Sequence, residues 1–183
     1  MSTYSRTLSV ITGGGVAVFL IVVLLLHLSQ PRYDPLSQFV SELALGHFGD
    51  LLLVAFLGLS AATAATAANV RAHNSPLFLS VLLALAAACF LAAGIITLAT
   101  SIQAHVWLVA TAFMSCGLSM YLLPRTVAAF SGLHGYLASW GSGLAMCGAT
   151  GLGGNLVLPG VAQRISALAL LFWLSFVAWR LAR

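Results

Sequence analysis

Lysine is absent from this sequence, and only three of the 183 residues are Asp or Glu. Charged residues make up 5% of the chain and hydrophobic residues 61%, whereas a soluble domain has about one quarter charged residues. So little charge excludes a water-soluble domain, and we predict one integral membrane domain over residues 1–183. The seven basic residues are all arginines and form no run, which excludes a nucleic-acid partner because phosphate binding needs clustered cations.

Several motifs that carry chemistry are also missing. The three cysteines, Cys89, Cys116 and Cys147, form no CxxC pair and have no zinc spacing to a histidine, so we predict that they are small buried apolar residues. Neither HExxH nor GxSxG occurs. No charged residue stands at mid-depth of an apolar segment, which argues against ion-coupled transport.

What the sequence does contain is six long apolar segments, each near the ~20 residues that cross a bilayer. They cover residues 8–28, 51–70, 77–100, 105–123, 134–156 and 165–181. The predicted fold class is therefore all-α, a polytopic membrane bundle of six transmembrane helices. Six crossings bring both termini to the same side of the membrane.

The arginines divide unequally between the two predicted sides. The side of the termini holds five of them, namely Arg6, Arg71, Arg125, Arg180 and Arg183. The opposite side holds Arg32 and Arg164 together with all three acidic residues. Because positive residues concentrate on the cytoplasmic side, we predict that both termini are cytoplasmic.

The segment between the first two predicted spans, residues 31–50, concentrates the polar residues, and we call it the outer loop. It reads PRYDPLSQFVSELALGHFGD and carries all three acids of the chain, Asp34, Glu42 and Asp50. Asp34 followed by Pro35 is typical of a helix start, and apolar residues then recur at helical spacing up to Gly46. This pattern predicts a short amphipathic helix over residues 35–45, lying in the membrane interface or over the bundle end.

The predicted topology places three histidines on the side of the acids: His27, His47 and His105. One hypothesis is a site for zinc or another divalent metal, because carboxylate and imidazole groups suit such ions. Its ligands would be Glu42, His47, Asp50 and His105. The alternative for Glu42 is an ion pair with Arg32 or Arg164. The alternative for Asp50 is to complement the dipole of the second helix. Apart from this metal hypothesis, no cofactor is predicted.

Two serines of the outer loop, Ser37 and Ser41, stand one helical turn apart. A serine nucleophile beside His47 or His105 is one interpretation. Serines are common on the polar face of an amphipathic helix, and this simpler interpretation is preferred. For His105 two interpretations stay open, an interfacial histidine hydrogen-bonded to the outer loop, or a general base or ligand that faces Glu42.

Residues 33–43, YDPLSQFVSEL, with Gly46 just after them, resemble the opening motif of a bacterial membrane family, the domain of unknown function 998 family. Two further stretches, residues 100–113 and 160–173, are similar to other parts of that family. The resemblance implies a six-helix bundle in the bacterial inner membrane. It is distantly similar to eukaryotic DRAM-type membrane proteins connected with lipid and autophagy phenotypes.

The resemblance also implies that one site is formed by Ser41, Glu42, His105 and Arg164. The family commonly carries an acidic residue between the third and fourth helices, and residues 101–104 have none. A looser similarity links the chain to the alkaline ceramidase superfamily, intramembrane zinc hydrolases that use Ser, Asp and three His. The paired late histidines of that superfamily are missing here.

Two functional hypotheses follow. The preferred one is non-enzymatic: an outward-facing polar patch binds a membrane lipid or another amphiphile, or the protein is an accessory subunit that docks on a membrane-protein partner or on a second copy. The patch would comprise Ser41, Glu42, His105, Arg164 and Arg32. The rival hypothesis is a metal-dependent hydrolase that acts on a lipid with the four candidate metal ligands.

Overall fold

Six α-helices and three short 3-10 helices make up the described part of the chain, which is residues 3–153 and 156–183 of the computed structural model. The α-helices are α1 Thr3–Ser29, α2 Leu52–Ala72, α3 Leu77–Ile95, α4 Ile102–Thr126, α5 Leu133–Leu152 and α6 Pro159–Leu181. The 3-10 helices are Val40–Leu45, Gly49–Leu51 and Ala128–Phe130. No strand occurs within these described residues, so the predicted all-α fold class is confirmed.

The chain is a multi-pass membrane protein by the length and composition of its helices. Five of the described helices are long and apolar enough to cross a membrane: α1, α2, α3, α4 and α6. α5 has 20 residues, but its glycine, serine and histidine residues make it less apolar than the other five. The described helices therefore give five candidate spans, one fewer than the sequence predicts.

The helices pack in chain order into a closed ring. Each α-helix contacts the next, α6 returns to α1, and α2 and α6 also touch. The largest fully buried side chains are Trp173, Phe90 and Phe130. Trp173 Nε1 donates to Ser139 Oγ at 3.1 Å, which satisfies the polar group that this ring brings into the core.

α1 and α2 pack against each other through small and weakly polar residues. Ser5 Oγ donates to Asn69 Oδ1 at 2.7 Å. Gly15 stands against Gly58, and a Cβ on Gly15 would overlap the Gly58 carbonyl oxygen. Small residues of this kind let two membrane helices approach closely.

The start of α1 and the end of α6 lie at one end of the bundle. Ser5 Oγ also donates to the Leu181 carbonyl at 3.0 Å, and Arg180 Nε donates to the Ala129 carbonyl at 3.1 Å. The start of α1 and the end of α6 therefore lie beside the α4–α5 connection. The outer loop lies at the opposite end, where α1 ends and α2 begins.

Three helix boundaries lie five or six residues from the predicted spans. α1 begins at Thr3, ahead of the predicted residue 8. α3 ends at Ile95, short of the predicted residue 100. α6 begins at Pro159, ahead of the predicted residue 165. The predicted start of α6 is wrong because the apolar pattern omits Pro159 and Gly160, whereas proline is well suited to the first turn of a helix.

Two expectations for the fifth span also change. The predicted range 134–156 extends over residues 154–155, which lie outside the described residues, and α5 ends before them. Cys89 and Cys116 are buried as predicted, but Cys147 on α5 is exposed.

The predicted amphipathic helix over residues 35–45 is wrong in extent. Residues 35–38 form turns, and only Val40–Leu45 is helical, as a 3-10 helix. Its last residue, Leu45, is also the last residue of the predicted range, and the Gly46 N–H donates to the Leu43 carbonyl at 3.3 Å.

The start of the loop is not helical because its carbonyl groups bind α6 instead. The Leu36 carbonyl accepts from the Val161 N–H at 3.2 Å, and the Gln38 carbonyl accepts from Arg164 Nη1 at 3.0 Å. A Cβ on Gly160 would lie 2.6 Å from Gln38 O and 2.7 Å from Leu36 O. The absence of a side chain at Gly160 therefore permits this close contact between the outer loop and α6.

Candidate functional site

The candidate site is centred on a hydrogen bond between Ser41 of the outer loop and His105 in the first turn of α4. Ser41 Oγ and His105 Nε2 are 2.9 Å apart, and the two residues are only 5% and 3% exposed. Ser101 caps α4 by accepting a hydrogen bond from the Ala104 N–H at 3.3 Å. A local signal therefore fixes the start of the helix that carries His105.

The second ring nitrogen of His105 determines the direction of that bond. His105 Nδ1 lies 3.0 Å from the Ala93 carbonyl oxygen and 2.8 Å from that of Ile96, at the end of α3, where carbonyls lack a partner within the helix. A carbonyl only accepts, so Nδ1 carries the proton, and in the neutral ring Nε2 is then the acceptor. Ser41 therefore donates its hydroxyl proton to His105 Nε2.

A cavity of about 360 Å³ adjoins this pair between α4 and α6. Its volume is in the range of small-molecule sites, about 300–1,000 Å³. The polar lining consists of Ser41, His105, Thr150, Gln163 and Ser166. The apolar lining includes Phe39, Leu98, Val106, Val109, Ala110 and Phe113. None of the described lining residues is charged, so the cavity suits an uncharged group.

Gln163 connects the cavity wall to the outer loop. Its Oε1 accepts the backbone N–H of Val40, and because an N–H only donates, this bond fixes which side of the amide is oxygen. No buried side-chain nitrogen or oxygen of the described residues lacks a hydrogen-bond partner. Gln163 Nε2 makes no hydrogen bond to the described residues, so it is an accessible donor.

Arg164, the next residue of α6, joins three parts of the outer end. Its Nη1 donates to the Gln38 carbonyl at 3.0 Å and to the Gly160 carbonyl at 2.8 Å. Its Nη2 donates to the Tyr33 hydroxyl at 2.6 Å and to His27 Nε2 at 2.9 Å. One guanidinium thereby holds α1, the outer loop and the start of α6 together, which its fixed fork of donors permits.

Two side chains of the outer loop have pKa values shifted from their ordinary values. Burial raises the pKa of Tyr33, against the hydrogen bond and the charge of Arg164, which lower it. Hydrogen bonds from the Ser37 hydroxyl and the Leu36 N–H lower the pKa of Asp34. Asp34 therefore caps a turn, where the sequence predicted a helix cap.

Glu42 caps the 3-10 helix of the outer loop. Its Oε1 accepts from the Phe39 N–H at 2.8 Å, and its Oε2 accepts from Gln38 Nε2 at 3.1 Å. These neutral donors take the place of the ion pair with Arg32 or Arg164 that the sequence suggested.

The structure brings together part of the predicted site. Ser41 contacts His105 directly. Gln38 joins Glu42 to Arg164. Its side-chain amide donates to Glu42, and its backbone carbonyl accepts from Arg164. Arg32 is exposed and lines a separate groove of about 440 Å³ on the outer loop, which we call the outer groove.

The four candidate metal ligands do not form a cluster. His47 is exposed, and its ring centroid lies 3.9 Å from that of Phe48. Asp50 is exposed just before α2, and His105 is buried against Ser41. Among the described residues, no group of three His, Cys, Asp or Glu could hold a metal ion.

Two residues of the site, Tyr33 and Gln163, were not singled out as functional from the sequence. Gln163 stands between two predicted spans, so the sequence does not indicate its place on the cavity wall. The available signal was a polar pair, Gln163 and Arg164, in the first turns of a helix that begins at a proline.

The comparisons with known proteins give a family without a known activity. The chain matches no curated protein and no solved structure. The model of the family described as "Protein of unknown function (DUF998)" matches residues 14–180, which include the outer loop, His105 and Arg164. The resemblance noted from the sequence is thereby confirmed, and the chain belongs to the DUF998 family.

Proposed function

We propose that the protein binds a membrane amphiphile in the cavity between α4 and α6, with a neutral polar group against Ser41, His105 and Gln163. The observation that carries this proposal is the cavity itself, about 360 Å³ in volume and largely apolar, with a few convergent polar side chains. Such a combination is typical of sites for small molecules.

The polar groups decide which amphiphile binds. Lipid tails are as apolar as the cavity wall, so moving an acyl chain from the bilayer into the cavity contributes little free energy. An unpaired polar group in an apolar site costs roughly 1–3 kcal/mol. A ligand with an ester or hydroxyl group that accepts from Gln163 Nε2 is therefore preferred over a plain hydrocarbon.

The proposal includes a bundle of six spans, with α5 as the sixth. α5 has 20 residues, which gives about 30 Å at 1.5 Å per residue, the thickness of the hydrocarbon core. It also returns the chain from the end of α4 to the start of α6. We place both termini in the cytoplasm of a bacterial inner membrane and the outer loop in the opposite interface, supported by the distribution of arginines.

Two alternatives have their own tests. The first alternative is docking on a membrane-protein partner or on a second copy, which would use the outer groove. A discrete partner that stays bound in mild detergent would favour this docking. A metal-dependent lipid hydrolase would require its four candidate metal ligands to come within reach of one ion. Stoichiometric zinc in the purified protein, lost in His105→Ala, would favour that activity.

The experiment for amphiphile binding is native mass spectrometry of the full chain released from mild detergent, with and without a Trp in the cavity. Ala110 lines the cavity, and the neighbouring Thr111 is exposed outside it. Ala110→Trp fills ligand space, and a penalty of about 1.4 kcal/mol already lowers affinity tenfold. We expect about a tenfold loss of lipid-bound species in Ala110→Trp and no loss in Thr111→Trp. Equal lipid retention in both variants would contradict the proposal.

A further inference from the structure

The Ser41–His105 pair has the arrangement that an activated serine requires. A serine nucleophile needs a base that accepts its proton, and that base needs a group that holds its other nitrogen. Ser41 donates to His105 Nε2 at 2.9 Å, and the carbonyls of Ala93 and Ile96 hold Nδ1. These two carbonyls occupy the place that a carboxylate takes in a Ser-His-Asp triad.

The surroundings supply the other parts of an acyl-transfer site. Both residues line the cavity between α4 and α6, and so does Gln163. An amide donor aimed at a developing oxyanion stabilises the transition state of acyl transfer. Gln163 Nε2 is an accessible amide donor on the same cavity wall, since Gln163 Oε1 is occupied by the Val40 N–H.

We propose that the protein cleaves a carboxylic ester of a neutral lipid, with Ser41 as the nucleophile and His105 as the general base. This inference rests on the proposed binding of an amphiphile in the same cavity. The absence of charge among the described lining residues selects an uncharged reacting group, and the apolar wall suits the acyl chain.

The reaction has two steps and consumes one water. In the first, a bond forms between Ser41 Oγ and the ester carbonyl carbon, and the bond from that carbon to the alcohol oxygen breaks. The Ser41 proton passes to His105 Nε2 and then to the leaving alcohol. In the second, water adds to the acyl carbon as His105 Nε2 takes its proton, the bond to Ser41 Oγ breaks, and Ser41 regains a proton as the carboxylic acid leaves.

The test is covalent labelling of the purified full chain with a lipophilic fluorophosphonate, read by intact mass and by peptide mapping. We expect one adduct per chain, mapped to Ser41, and no adduct in Ser41→Ala. Removal of a general base slows reaction by roughly 10²–10⁴-fold, so His105→Gln should be labelled at least about 100-fold more slowly. Ser37→Ala is the matched control, because the Ser37 hydroxyl binds Asp34 and not a histidine, and its labelling should equal that of the wild type.

Peptide mapping of the wild type needs no variant to fold, so it tests the role of Ser41 even if a variant is unstable. An unlabelled Ser41 in protein that still retains lipid in native mass spectrometry would overturn the ester cleavage while leaving the proposed binding intact. Protein that retains no lipid would contradict the proposed binding. Ser41 labelling that is equally fast in His105→Gln would show that the hydrogen bond only fastens the outer loop to α4, and would also overturn the inference.

Discussion

Arg164 is the single residue on which the outer end of the bundle depends most. It makes four hydrogen bonds, two to backbone carbonyls and two to the side chains of Tyr33 and His27. Its guanidinium also lies 5.5 Å from the centre of the Tyr33 ring. These contacts explain why the outer loop keeps its place on α6 without the ion pair that Glu42 was expected to make.

Replacement of Arg164 by lysine should loosen the outer loop. An ammonium group lacks the planar fork that reaches several acceptors at once, and a hydrogen bond to a charged group contributes about 1.5–3 kcal/mol. We expect Arg164→Lys to lower the free energy of unfolding by about 3 kcal/mol and to expose the outer loop to proteases. Thermal unfolding in detergent and limited proteolysis measure both effects.

Arg32→Lys is the control for this change. Arg32 stands on the same outer end but is exposed, and surface substitutions usually change stability by no more than about 0.5 kcal/mol. If Arg32→Lys destabilised the protein as much as Arg164→Lys, the network around Arg164 would not be what holds the loop.

Three residues of the site could be named from the sequence, but their partners could not. Ser41, His105 and Arg164 are polar groups at one end of an apolar chain, and the family resemblance implied that they share a site. The acceptors of His105 Nδ1 are the backbone carbonyls of Ala93 and Ile96. They are available only because α3 ends at Ile95, and helix ends are poorly defined by an apolar pattern.

Among the helices, α1 and α2 form the interface in which small residues matter most. The Thr12 and Thr66 hydroxyls are 3.3 Å apart across it, and Gly15 meets Gly58 further along. In a bilayer no hydrophobic effect drives two helices together, so close packing and hydrogen bonds supply the attraction.

The run of three glycines in α1 offers a matched pair of substitutions. A Cβ on Gly15 would overlap Gly58 O and lie 3.0 Å from the Ala62 Cβ, whereas a Cβ on Gly14 meets nothing within 4 Å. We expect Gly15→Ala to cost about 1–3 kcal/mol through overpacking. Gly14→Ala should be neutral or gain up to about 1 kcal/mol from helix propensity. Thermal unfolding of both variants in one detergent checks this, and equal midpoints would contradict the close approach of α1 and α2.

The outer loop shows why the sequence predicted helices better than loops. Apolar length alone located α1, α2, α3, α4 and α6, because a bilayer imposes that length. In the outer loop, residues 35–45 have the periodicity of a helix, but residues 35–38 bind α6 instead. A contact between residues more than 120 positions apart, such as Gln38 and Arg164, leaves no local trace in the sequence.

At the scale of the whole molecule, the bundle has two chemically different ends. Five arginines, Arg6, Arg71, Arg125, Arg180 and Arg183, are near the end where the termini meet. The other end carries the outer loop with all three acids and both cavity and groove. Since positive residues are retained on the cytoplasmic side, this asymmetry makes orientation the most direct prediction for the intact protein.

Two exposed serines at opposite ends of the bundle provide the test of orientation. Ser37 lies in the outer loop, and Ser131 lies between Ala128–Phe130 and α5, at the end of the termini. In a chain whose exposed Cys147 is replaced by alanine, Ser37→Cys should react with a membrane-impermeant maleimide in spheroplasts. Ser131→Cys should react only after lysis, because the proposed orientation places its end of the bundle in the cytoplasm. The reversed pattern would place the outer loop and its cavity inside the cell. Labelling of both cysteines from one side would mean that α2, α3 and α4, the three helices between them, do not all cross the membrane.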